Sequence, residues 1–69
     1  MFTLRLRSGR EERILAGHPW IYRNEIARVE GEGEPGRVAH VLDGRGRFLG
    51  QAMVNLRSQI AGRLLTHAE

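Results

Sequence analysis

The chain has 69 residues with a net charge of +3, from 11 basic and 8 acidic side chains, and no cysteine. That length supports one small core and excludes an active site built between lobes. The missing cysteines exclude a disulfide framework, thiolate metal ligands and thiol nucleophiles. No apolar run is long enough to span a bilayer, and the amino terminus lacks a signal-peptide pattern, so the chain reads as soluble and cytoplasmic.

Charge is unevenly spread: positive over residues 1–28, negative over 29–43 and positive again over 44–69. Every basic residue is Arg and none is Lys. Guanidinium is a rigid fork suited to phosphate and to stacking on bases. GC-rich codon usage or a thermophilic source would produce the same bias.

In chain order, Phe2–Arg7 alternates apolar and polar residues, which predicts a strand over 2–7. Ser8 and Glu11 have capping-box spacing, and a short helix over 10–16 should end at Gly17. Arg10 and Arg13, three apart, would share a face of that helix. The segment Gly17–Ile26 then holds the only Trp and the only Tyr of the chain. Pro19 fixes the direction of entry. Trp20, Ile21 and Ile26 are expected in the core, with Arg23, Asn24 and Glu25 in solvent. A helical turn is expected over 20–26 and a brief strand over 27–29.

Residues 30–36 read as a turn. Its Gly31, Gly33 and Gly36 have the spacing of a dinucleotide fingerprint, but a strand follows and Glu32 and Glu34 would repel a pyrophosphate. Strands are predicted over 37–42 and 47–54, joined by a hairpin at Asp43–Gly46 in which Asp-Gly supplies positive φ. Gly50 marks a bulge or close backbone approach that lets the sheet curl. A last strand is predicted over 58–65.

His18, His40 and His67 are too scattered for a metal site. A Ser8, His18 and Asp43 grouping lacks a nucleophile elbow. Asp43 is best explained by its turn, and His40 as a core or edge histidine.

The stretch Leu15-Ala16-Gly17-His18-Pro19-Trp20-Ile21-Tyr22-Arg23-Asn24-Glu25-Ile26, followed by Pro35-Gly36, Asp43–Gly50, Asn55–Ile60 and Arg63-Leu64-Leu65, resembles the amino-terminal PUA domain of the RlmI family. Those proteins are S-adenosylmethionine-dependent methyltransferases that modify ring carbon five of a cytosine in large-subunit ribosomal RNA. This chain departs from the usual pattern at Ala61-Gly62, where a β-branched residue is more common, so the last strand should be softer.

The resemblance implies a mainly β (α+β) pseudo-barrel with one or two short helices. It implies a single RNA-binding domain over 1–69, part of a longer methyltransferase chain. The RNA face of such domains maps to Arg10, Arg13, Gly17, Arg23 and Arg63. The implied partners are structured ribosomal RNA and the parent chain's catalytic domain. The alternative is an interaction barrel that packs on that domain, or on a second copy of itself, with little RNA contact. This chain alone is expected not to transfer methyl groups, since that chemistry uses a cysteine nucleophile, and not to bind S-adenosylmethionine, which needs a parallel α/β sheet with a glycine-bearing first turn.

Overall fold

The computed structural model describes residues 2–31 and 37–68. They form one six-stranded sheet in the order β2-β6-β5-β4-β1-β3, with a short helix α1 and a 3-10 turn η1. The strands are β1 (Thr3–Leu6), β2 (Trp20–Tyr22), β3 (Ile26–Glu30), β4 (Val38–Leu42), β5 (Phe48–Val54) and β6 (Ile60–Thr66). Helix α1 is Glu11–Leu15 and η1 is Arg23–Glu25. Only β1 and β4 pair in parallel; every other neighbouring pair is antiparallel.

The order of strands forces the sheet to curl. Its two outermost strands, β2 and β3, are consecutive in the chain and separated only by η1. Laid flat, they would stand about 24 Å apart, at roughly 4.8 Å per strand spacing. The four Cα steps from Tyr22 to Ile26 reach at most about 15 Å. The ends of the sheet must therefore approach each other, giving a mainly β pseudo-barrel. Two backbone bonds fix the junction: Arg7 N–H donates to the Glu25 carbonyl at 2.8 Å, and Arg23 N–H to the Gln59 carbonyl at 3.0 Å.

The core lies inside this curl. Leu6, Ile14, Ile21, Val41, Leu49 and Ala52 form one buried cluster, and Leu4, Ala39 and Val54 a second, with Ile26 packed against both. In β1 the predicted alternation appears as buried Leu4 and Leu6 around a half-buried Arg5. Burying a side chain of this size is worth about 1.5–3 kcal/mol, which makes the alternating leucines the main local reason for the strand's register.

The helix is shorter than the predicted 10–16, and the capping box does not form. Arg10 occupies the N-cap position without a side-chain cap, and the Glu11 carboxylate instead accepts the Gly9 N–H at 3.0 Å. Ser8 is taken up elsewhere: its Oγ lies where a side chain on Gly44 would begin, so it packs against the hairpin. The helix does stop at Gly17. That residue has φ +100°, with Gly17 N–H donating to the Ile14 carbonyl and His18 N–H to the Arg13 carbonyl, the paired bonds of a Schellman stop.

Four further expectations are corrected. Of the helical turn expected over 20–26 only η1 is helical, residues 20–22 forming strand β2, and β3 is longer than the predicted 27–29. Trp20 is 47% exposed, because Ile21 takes the inward position of a three-residue strand and its neighbours must point outward. Glu25, expected in solvent, is 5% exposed, because η1 carries it under the junction of the sheet's ends.

The hairpin between β4 and β5 places its positive φ at Gly46 (+88°), not at the Asp43-Gly44 step. At Gly50 the expectation of a bulge and a close approach holds. Pairing slips from Val41↔Gly50 to Leu42↔Phe48, and a Cβ on Gly50 would collide with the Thr66 carbonyl and lie 2.9 Å from Leu64 Cδ1. The Ala61-Gly62 departure also has a reason. Ala61 is fully buried, and a Cβ on Gly62 would lie 3.3 Å from Ile21 Cδ1, so the glycine there makes room for Ile21. The fingerprint-like spacing of Gly31 to Gly36 falls mostly outside the described residues.

Candidate nucleic-acid interface

In the face assembled from α1, the loop after it, β2, η1 and β6, the buried Glu25 links α1 to the β2–η1 junction. One carboxylate oxygen of Glu25 accepts the Tyr22 N–H at 3.0 Å and meets Arg13 Nη1 at 3.4 Å. The Arg13 guanidinium also sits 5.0 Å from the centroid of the Tyr22 ring, within cation–π range. Arg13 therefore ties the helix to the strand–turn junction. It is not the open partner of Arg10 that the helix spacing suggested.

Arg10, Arg23 and Arg63 are exposed and make no ion pair among the described residues. Arg10 lies at the start of α1, at the opposite end from Gly17. Gly17 is exposed, and a Cβ there would meet nothing within 4 Å, so the position needs glycine for its φ and leaves the backbone open to a ligand. From Gly17 the chain runs to Pro19, whose carbonyl accepts the Leu64 N–H, and then to Trp20, directly opposite Arg63. The structure thus brings Arg13, Gly17 and Arg63 onto contiguous elements and leaves Arg10 at the edge.

Arg23 lines an open groove of about 260 Å³ with Ile26, Ala27, Arg28, Val29 and Leu56. Arg28, absent from the predicted set, is a second arginine lining this groove. Trp20 and Tyr22 were also missed as surface residues. The parity of β2 was the available signal, since an inward Ile21 turns both its neighbours the other way.

Two more of the described acidic groups pair with arginines. Arg5 pairs with Glu30 at 3.5 Å, and Arg47 Nε with Asp43 at 2.8 Å. Asp43, 3% exposed, also accepts the N–H groups of Arg45 and Arg47, each at 2.9 Å. The backbone bond from Arg47 does most to hold its carboxyl below the usual carboxylate range, helped by the Arg47 guanidinium and the Arg45 N–H, with burial opposing. Asp43 is thus a turn residue, as its sequence context implied.

His40 packs edge-on against Phe48 at 5.3 Å between ring centroids, and His67 Nδ1 meets the Leu49 carbonyl at 3.2 Å. Among the described residues no three acidic or histidine side chains gather as a metal site. No helix is long and apolar enough to cross a membrane.

Comparison with known proteins agrees with this architecture. Residues 4–67 match the family model described as a PUA-like domain. The chain is 38% identical over 61 residues to the ribosomal RNA large subunit methyltransferase I of Cronobacter sakazakii, covering 88% of this chain and 15% of that protein. It is 39% identical over 59 residues to the Erwinia tasmaniensis protein of the same name, covering 86% and 15%. The protein of that name from Yersinia pseudotuberculosis is 38% identical over 61 residues, with 88% and 15% covered. The chain spans about 15% of the length of these relatives. Its fold, and a family match running over nearly all its residues, place this chain in the PUA-like domain family.

Proposed function

We propose that this chain is an RNA-binding module that positions ribosomal RNA for a methyltransferase domain outside these 69 residues. The observation that carries the reading is the division among charges. Glu25, Glu30 and Asp43 each pair with an arginine of the chain, while Arg10, Arg23 and Arg63 are exposed and make no ion pair among the described residues. Three acids turned to arginines of the chain itself leave these open cations for phosphate, and Gly17 admits a close backbone approach. The names of the relatives supply the class of RNA, and their length accommodates the partner domain.

The reaction itself belongs to that other domain. This chain has no cysteine to supply a thiolate. Its residues do not fit an S-adenosylmethionine site either. The turn after β1 leads into a helix of only five residues, with no crossover helix returning to a parallel neighbour. We assign the cofactor no contact here.

The test is binding of a structured ribosomal RNA fragment across a salt series. Phosphate-driven binding should weaken steeply, with a log–log slope near the number of phosphates neutralised, about three to five. A second reading, a barrel that packs on the catalytic domain with little RNA contact, draws on the exposed Leu15 and Leu65. It would give association that persists or strengthens with salt.

A further inference from the structure

We propose that the outer face of β4, β5, β6 and β2 is a stacking platform for an unpaired nucleobase, which lies on the Trp20 indole while Arg63 holds an adjoining phosphate. The proposal rests on the RNA-binding reading above and deepens it from a charged surface to a site for single-stranded RNA.

The sheet register aligns the platform. Val38 stands opposite Met53, Met53 opposite Arg63, and Arg63 opposite Trp20. Directly opposed residues of neighbouring strands project to the same side, with Cβ atoms about 5 Å apart. The row therefore crosses four strands on one face, and each member is exposed: Val38 46%, Met53 48%, Trp20 47%, with Arg63 between the last two. A nucleotide can then lay its base on the indole while its phosphate reaches the guanidinium one strand away.

Charge selects the occupant. None of the four strands contains an Asp or Glu, and Arg63 makes no ion pair among the described residues. An apolar protein surface laid on this row would bury Arg63 without a counter-charge, a costly arrangement. A nucleotide supplies a π-face for the indole and an anion for the guanidinium together.

The backbone is set in advance. The Leu64 N–H bond to the Pro19 carbonyl and the β2–β6 ladder hold Trp20 in place, so little ordering is left for binding to do. Bases within an A-form duplex are stacked on one another and lie beyond reach of an indole on an open sheet, so the base must be unpaired.

Trp20 is the only tryptophan, so its emission reports this face alone. The chain is titrated with a fluorophore-labelled single-stranded RNA hexamer and with a fully paired hairpin stem, reading tryptophan emission and RNA anisotropy together. The expected result is saturable quenching by the single strand and little by the stem. Trp20→Ala should weaken single-strand binding about 5- to 100-fold and Trp20→Phe less, as expected for loss of one stacked base. Arg63→Gln should lower the salt slope by about one. Should Trp20→Ala fail to fold by circular dichroism, quenching of the unaltered chain and the affinity of Met53→Ala, expected to fall severalfold, decide the matter.

RNA binding by anisotropy with unchanged tryptophan emission would overturn the platform and leave the RNA-binding reading standing. Equal quenching by the stem would overturn the unpaired base. Absence of binding to either RNA would overturn both readings. A blue shift that grows with protein concentration before any RNA is added would assign the face to a second copy of the chain instead.

Discussion

The hairpin around Asp43 and the open row around Arg63 use the same side chain for opposite ends. Arg47 closes a turn because a buried carboxylate stands four residues away, with three hydrogen-bond donors converging on that acid. Arg63 lies on a strand with no acid in it or in either of its partners, and it stays in solvent. An acid within reach makes the Arg47 guanidinium part of the fold, and the lack of one leaves that of Arg63 available to a ligand. The arginine count of the chain therefore overstates its binding surface, and the difference can be measured residue by residue.

The largest effect should come from the acid beneath the interface. Glu25→Ala leaves the Tyr22 N–H without its partner and releases Arg13, at a cost of about 2 kcal/mol. For a domain of this size that lowers the melting temperature by on the order of 10 °C, measurable by circular dichroism. A melting point unchanged within about 2 °C would mean that Glu25 does not hold the junction.

Arginines sorted by pairing should separate next. Replacing Arg10, Arg23 and Arg63 together by Ala should cut affinity for structured RNA about tenfold or more and lower the salt slope by two to three, with little change in melting. Arg13→Ala should do the reverse, costing on the order of 1 kcal/mol of stability while leaving the salt slope nearly as it was. If the two variants gave the same profile, the distinction between fold and ligand arginines would fall.

The smallest effect is one of pH. Because the fold holds the Asp43 pKa below 3.8, the unfolded chain takes up that proton first as the solution is acidified. The stability Asp43 contributes is complete above about pH 4 and is lost as pH falls toward its lower folded value. Asp43→Asn should melt lower than the parent at pH 7, and the gap should narrow at pH 3. A gap independent of pH would indicate that the charge on Asp43 contributes nothing.

Much of the fold was legible because local rules decided it. The alternation of Leu4 and Leu6, the helix stop at Gly17 and the bulge at Gly50 each follow from a few neighbouring residues. What failed depended on meetings across the chain. Ser8 was expected to cap α1 but lies against Gly44, and Glu25 was expected in solvent but is covered where β2 and β3 come together. Trp20 shows a different failure: its size argued for burial, while the parity set by Ile21 placed it outside. For the interface, residue type could nominate arginines, but it could not tell that Arg13 has a buried partner or that Arg28 stands beside Arg23.

The three-residue junction η1 also constrains how the domain can be shortened. Strands β2 and β3 are joined through it, yet along the ladder they are connected only by way of β6, β5, β4 and β1. Removing either terminal strand, β1 or β6, leaves an outer strand without the neighbour on which it docks, and the junction then has nothing to close. The chain has no separable half, so deletions from either end should abolish folding outright, and melting should be a single all-or-none transition.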